Sequence, residues 1–198
     1  MPVRDATRER LVHAAAQLLW ERTYQTTSVD DLCAHAKAKK GSFYYYFPTK
    51  IDLAIAAVET AWAQTKQWVM EPVFTGEVSG LAQLQTLVDR VEGVQAEAFK
   101  KAGAYLGCPF GGLGQEMAHQ DERLRSALKG VFDGHCEFMQ GAVLRAVEQG
   151  EVPAGDARRR AENLFALFEG ALLLAKVGND PSLFRAIVSS SIRPLASS

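Results

Sequence analysis

The stretch of sequence that decides the fold is Thr26–Lys50, TTSVDDLCAHAKAKKGSFYYYFPTK. Ser28, followed three residues later by an acid, forms a capping-box pattern that predicts a short helix ending near residue 36. A tight connection at 37–38 and a second short helix over 39–45 follow. Two short helices joined by such a turn form a helix-turn-helix, whose second helix can enter the major groove of DNA.

The rest of the chain has the apolar spacing of helices. A first helix over 5–22 repeats apolar residues every three or four positions, and Thr49 opens a long fourth helix that ends near residue 70. Further helices are predicted over 79–102, 115–119, 121–149, 156–177 and 181–192. We therefore expect an all-α protein of about nine helices, with a three-helix domain over 1–50 and a larger helical domain over 51–198.

Charge is distributed unevenly along the 198 residues. Residues 1–50 hold eight Lys or Arg and five Asp or Glu, whereas the remaining residues hold 14 and 18. A basic end on an acidic chain indicates a polyanion-binding site at that end. No apolar run is long enough to span a bilayer, and the first residues lack the apolar core of a signal peptide, so we expect a cytoplasmic protein.

The second short helix carries side chains suited to nucleic acid. Its first residues are lysines, and a glycine after them permits close approach of the backbone. Phe43 and Phe47 are predicted to face the core. The alternative for the neighbouring tyrosines is that they are ordinary core and surface residues of a small helical bundle that does not bind DNA. The candidate DNA-contacting residues are Thr26, Thr27, Ser28, Lys39, Lys40, Gly41, Ser42, Tyr44, Tyr45 and Lys50.

Two segments together resemble the TetR family of repressors. They are Thr26–Leu32, TTSVDDL, and Lys40–Lys50, KGSFYYYFPTK. The chain departs from the family pattern at Lys37, where a turn glycine is usual, and at Lys39, where Ser or Thr is common. Lys37 implies either a turn without positive φ or some backbone strain. Lys39 adds a positive charge to the face that would meet DNA.

The resemblance implies a helical ligand-binding domain at 51–198 that forms a homodimer through its last two helices. Leu164, Phe168, Leu172 and Leu174 lie in a helix that is apolar almost all round, which indicates burial on two sides. A monomeric core is the alternative. A two-fold dimer suits a palindromic DNA operator.

The glycine-rich segment Gly107–Glu116, GCPFGGLGQE, resembles the branch of the family that responds to reactive electrophiles and small unsaturated acids. Cys108 lies near a predicted helix start, which can favour its thiolate, and Lys176 could stabilise that thiolate or bind a carboxylate. Cys108 could equally be a small buried hydrophobe, and core packing explains the aromatic residues as well. The candidate ligand or sensor residues are Trp62, Phe99, Cys108, Phe110, Met117, Phe132, His135, Phe168 and Lys176.

Two other classes of protein compete with a repressor released by a small-molecule or electrophile inducer. An enzyme is disfavoured because the sequence has no nucleophile elbow, paired carboxylates or dinucleotide-binding loop, so we expect no catalysis and no cofactor. No four metal ligands stand at a recognisable spacing. A helical adaptor that does not bind DNA is the second rival.

Overall fold

The structure is a computed structural model that describes residues 3–192, with side chains from residue 6 onward. When α4, a π-helical turn at Lys66–Met70 and α5 are taken as one continuous helix, the described residues contain nine helices and no strand, as predicted. The helices are α1 (Val3–Glu21), α2 (Val29–His35), α3 (Lys40–Tyr46), α4 (Lys50–Thr65), α5 (Glu71–Phe74), α6 (Gly80–Ala102), α7 (Pro109–Met117), α8 (Glu122–Glu148), α9 (Ala157–Gly178) and α10 (Ser182–Ile192).

Side-chain caps begin the helices where the sequence predicted them. Ser28 Oγ accepts the amide of Asp31, whose carboxylate in turn accepts the Ser28 amide at 2.8 Å. Thr49 and Asp52 make the same reciprocal pair at the start of α4. Because each cap satisfies amides that the first helical turn leaves unpaired, these starts are fixed by local sequence.

The continuous helix α4–α5 extends beyond the predicted end near residue 70. Pro72, beyond that predicted end, lies in the first turn of α5. Pro72 supplies no backbone amide, and the irregular π-helical turn Lys66–Met70 lies just before it in this continuous helix.

The glycine-rich segment is itself helical, which corrects the predicted helix over 115–119. α7 begins at Pro109, whose fixed φ suits a first helical position. Phe110, Leu113 and Met117 follow at helical spacing and are buried. Burial of this apolar stripe explains why a segment with three glycines holds a helix.

The chain forms two compact units. The first unit comprises the residues up to Ala63 together with Pro109–Val131. Its core includes the buried side chains of Leu11, Leu32, Phe43 and Leu53. The predicted domain boundary at residue 50 stays a prediction.

The second compact unit comprises Gln64–Cys108 and the residues from Phe132 onward. Here α6 lies so close to α8 that a Cβ built on Gly80 would be 2.1 Å from the Ala142 carbonyl oxygen. α10 packs on α9 through the Phe168 and Phe184 rings, whose centroids are 5.5 Å apart. Over residues 3–192, no helix combines the length and apolar character needed to cross a membrane.

Candidate DNA-binding surface and ligand-domain residues

Helix α3 turns its phenylalanines inward and two of its tyrosines outward. Phe43 and Phe47 are buried, which confirms their predicted place in the core. Tyr44 and Tyr45 are 52% and 67% exposed. Since large aromatic side chains are normally covered, this face of α3 has the composition of a contact surface.

Three lysines surround the start of α3. Lys37, Lys39 and Lys40 are all exposed, and Lys40 Nζ lies 2.9 Å from the Asp30 carboxylate. That hydrogen bond to Asp30 raises the pKa of Lys40. A Cβ built on Gly41 would meet no atom within 4 Å, so packing within the described chain does not require a glycine there. The lack of a side chain leaves the backbone of α3 open to a close approach from outside.

The turn between α2 and α3 contains backbone strain. Lys37 has φ +49°, in the left-handed region where a residue with a Cβ costs about 1–2 kcal/mol. Of the two possibilities that the sequence left open, the structure has the strained one. The turn has the backbone of a glycine turn with a lysine side chain on it.

The threonines before α2 differ in exposure. Thr26 is exposed, whereas Thr27 is fully buried and its hydroxyl donates to the Thr23 carbonyl oxygen at 2.8 Å. The Thr27 hydroxyl is thus engaged within the chain, and a contact of Thr27 with DNA stays a prediction. Ser28 is exposed, and its hydroxyl is occupied by the capping box.

Lys50 holds the loop before α2 instead of reaching outward. Its Nζ donates to the carbonyl oxygens of Tyr24, at 2.8 Å, and Thr27, at 3.0 Å. The ammonium also lies 3.9 Å from the centre of the Tyr24 ring. Burial lowers the pKa of Lys50. These contacts occupy the ammonium within the chain, and the predicted phosphate contact of Lys50 stays a prediction.

Glu116 is a residue that sequence reasoning missed at this surface. Its two carboxylate oxygens accept the backbone amides of Tyr24, at 2.6 Å, and Gln25, at 2.8 Å. Nearby along the same segment, Arg123 Nη1 donates to Asp52 Oδ1 at 2.8 Å. The partners of Glu116 are about ninety residues away in sequence, so no local signal could have indicated them.

The nine predicted ligand residues are divided between the two compact units. Trp62, Phe110 and Met117 belong to the first unit, and the other six belong to the second. Phe132 and His135 both pack against the Phe165 ring, with centroids 5.2 and 5.3 Å apart. Phe168 and Phe110 are buried, as expected for core residues. The structure thus brings small groups of these residues together, but not the whole set within one unit.

The segment before α7 is tightly held in the second unit. The Gln95 side chain is buried and bonds both to the Gly107 amide, at 3.1 Å, and to its carbonyl oxygen, at 2.9 Å. Gly107 has φ +70°, and a Cβ there would lie 3.3 Å from Lys176 Cδ. Lys176 therefore lies alongside Gly107, and its role toward Cys108 or a ligand stays a prediction.

Cys108 differs from the other two cysteines in its surroundings. Cys33 and Cys136 are buried, and burial raises the pKa of both thiols, which suits packing residues. Cys108 is partly exposed and hydrogen-bonds to Glu169, whose pKa is raised by burial. The thiol of Cys108 thus has a carboxyl group as a hydrogen-bond partner, and its role as a sensor stays a prediction.

Two further features of the second unit were not predicted. The Tyr105 hydroxyl is buried without a hydrogen-bond partner in the described part of the chain, and burial raises the pKa of Tyr105 to about 12. An unpaired buried hydroxyl costs free energy that a bound ligand could recover. A groove of about 350 Å³ contains none of the nine predicted residues; it is lined by Phe74, Thr75, Gln83, Glu137, Phe138, Gly141, Ala142 and Arg145.

Two family patterns match the chain. Residues 11–57 match the family described as bacterial regulatory proteins, tetR family. Residues 80–190 match the family described as tetracyclin repressor-like, C-terminal domain. Together the two patterns cover both the helix-turn-helix and most of the helices after it.

Individual proteins are similar over nearly the whole chain. The transcriptional regulator AcuR of Cereibacter sphaeroides is 30% identical over 177 residues, which are 89% of this chain and 79% of that protein. The crystal structure of regulatory protein TetR from Rhodobacter sphaeroides has a TM-score of 0.83 at 30% identity, covering 93% of this chain and 96% of that one. The reduced form of Escherichia coli NemR has a TM-score of 0.83 at 25% identity, covering 96% of both chains.

Proposed function

Because this chain belongs to the TetR family of bacterial transcriptional regulators, we propose that it is a homodimeric repressor that an inducer releases from its DNA operator. It is a regulator of transcription and not an enzyme. The inducer would be a small molecule or an electrophile. A protein that acts on the chromosome works in the bacterial cytoplasm, where we place it.

The exposed face of α3 is the observation that carries the proposal. It combines two exposed tyrosines with exposed lysines at and before its first turn. Lysines supply phosphate contacts, and tyrosine hydroxyls can bond to bases or phosphates. We propose that Lys39, Lys40, Gly41, Ser42, Tyr44 and Tyr45 contact the operator, with Thr26 and Ser28 beside them.

The DNA contacts can be tested by gel shift on a duplex that the wild-type protein has selected from a random-sequence pool. We expect Tyr44→Ala to weaken binding about tenfold, as loss of one base contact would. Lys40→Gln should weaken binding to all sequences and reduce the slope of log affinity against log salt by about 0.9. Trp68→Ala removes an exposed aromatic residue of the second compact unit and should bind the duplex as tightly as wild type.

The outcomes of this gel shift separate the candidate functions. Selection of no duplex at all would favour a helical adaptor over a regulator that reads DNA. Normal binding by both α3 variants would overturn the contact assignment while leaving DNA binding itself in place.

The exposed side of α9 supports the homodimer. Leu173, Leu174 and Val177 are exposed although they are apolar, and Ala166 and Gly170 precede them on the same side of the helix. The opposite side is buried in the chain's own core, through residues such as Leu164 and Phe168. An apolar helix face of this kind is what a partner helix would cover. Two copies joined there would present two α3 helices to a palindromic operator.

Release would follow from a population shift. An inducer changes operator affinity only if it binds more tightly to the conformation that does not fit DNA. We propose that the Gly107–Cys108 segment and Lys176 belong to the inducer site. A ligand that binds tightly and leaves operator affinity unchanged would contradict this mechanism.

The sensor role of Cys108 can be tested with N-ethylmaleimide. The thiol sulfur would add across the maleimide double bond, and its proton would end on the adjacent carbon. We expect one adduct at Cys108 by mass spectrometry and a fall in operator affinity of at least tenfold. Cys108→Ser should lose both effects, and Cys136→Ala, which removes a buried thiol of the same unit, should keep them. A full response in Cys108→Ser would rule out the thiol as the sensor.

A further inference from the structure

We infer that Glu116 of α7 is a positioning residue for DNA binding, which holds the loop between α1 and α2 in the conformation that presents α3. The inference rests on the proposed operator binding. Glu116 ends the glycine-rich motif, and nothing in the predicted sensor chemistry uses it. Its carboxylate is bonded to the loop before the helix-turn-helix.

The loop is held from two sides by opposite charges. Glu116 accepts the amides of Tyr24 and Gln25, and Lys50 donates to the carbonyl oxygens of Tyr24 and Thr27. Both polar groups of the Tyr24 backbone are thus bound to a charged side chain. Hydrogen bonds to charged groups are about twice as strong as neutral ones, so the pair fixes this short segment firmly.

The loop sets the position of the helices that follow it. Ser28, the N-cap of α2, lies only three residues after Gln25. α2 and α3 share one core through the buried side chains of Leu32 and Phe43. A displacement of the loop therefore moves α2 and α3 with it. Lys50 comes from the start of the adjacent α4, whereas Glu116 comes from a distant part of the sequence.

Glu116 has a fixed location because α7 is anchored in the first unit. Phe110, Leu113 and Met117 of α7 are buried, and α7 packs against α1. The contact that Glu116 makes with the loop therefore depends on how α7 packs within the first unit.

Glu116→Gln tests the inference, because an amide has nearly the same shape but one acceptor oxygen and no charge. The probe is the duplex selected by the wild-type protein, measured beside a scrambled duplex at a temperature where every variant is fully folded. We expect amide hydrogen exchange at Tyr24 and Gln25 to accelerate at least tenfold. Affinity for the selected duplex should fall at least fivefold, and affinity for the scrambled duplex should stay within twofold of wild type.

Glu122→Gln is the matched control, since Glu122 is an exposed acid of the same unit whose carboxylate lies 3.3 Å from the nearby Arg125. It should leave exchange and both affinities unchanged. Faster exchange in Glu116→Gln with wild-type affinity for the selected duplex would overturn the inference alone. Equal losses on both duplexes would also overturn it, since they would indicate general damage to the DNA-binding surface. If the wild-type protein selected no duplex, that result would contradict the proposed function itself, on which this inference rests.

Discussion

Arginine in place of Leu174 is expected to leave the protein monomeric and to weaken operator binding at least a hundredfold. Leu174 is 56% exposed on α9, and Val177, one turn later, is 78% exposed. An arginine there stays in water in the monomer and costs little stability. Between two copies it would put a charge in an apolar contact, and two such charges would face each other across the two-fold axis.

The loss of affinity follows from losing the linked second half-site. In a dimer the second DNA contact is intramolecular, which can strengthen binding by 10²–10⁴-fold over one half-site. Analytical ultracentrifugation would measure the mass of the protein in solution. Gel shift would measure its affinity for the selected duplex. Val78→Arg, at an exposed apolar residue before α6, should remain dimeric. A dimeric Leu174→Arg protein with normal operator affinity would show that the dimer interface does not include this face of α9.

Alanine in place of Gly80 is expected to destabilise the protein by at least about 3 kcal/mol, near the upper end of what overpacking costs. The added Cβ would lie 2.1 Å from the Ala142 carbonyl oxygen and 2.5 Å from the Ala146 amide nitrogen. Both neighbours are backbone atoms of α8, so no side-chain rotation can relieve the contact. The start of α6 is also held by hydrogen bonds from Gly80 and Leu81 amides to Gln149 and Glu151.

Thermal unfolding at fixed protein concentration would measure this effect. For a chain of this size, the loss corresponds to a fall in Tm of roughly 6–12 °C. Gly93→Ala is the matched control in the same helix, because a Cβ there meets no atom within 4 Å. It should raise Tm slightly, since alanine is the better helix former by about 1 kcal/mol. A Tm for Gly80→Ala near that of wild type would mean that α6 and α8 can separate easily.

Local sequence was sufficient for the helix-turn-helix. The Ser28–Asp31 and Thr49–Asp52 caps form within four residues, so their pattern predicted them directly. The matching families confirm the resemblance drawn from Thr26–Leu32 and Lys40–Lys50. Inward placement of Phe43 also followed from spacing alone.

The features that sequence reasoning did not predict depend on distant contacts. Thr27 and Lys50 looked like DNA contacts because their types suit phosphate, yet one is buried and the other is bound to loop carbonyls. Glu116 received no predicted role of its own, because its partners Tyr24 and Gln25 are distant in the sequence. Gly80 lies at the start of a predicted helix, and the close approach of α8 explains why it has no side chain.

The left-handed backbone of Lys37 bears on how quickly the protein finds its operator. A glycine at this position would fold with less strain, but it would remove one of the lysines that precede and begin α3. Positive charge accelerates encounter with a polyanion and lengthens each visit to non-specific DNA, along which a regulator slides and hops. We therefore expect Lys37 to lower folding stability by a small amount and to prolong the time that each protein molecule spends scanning the chromosome.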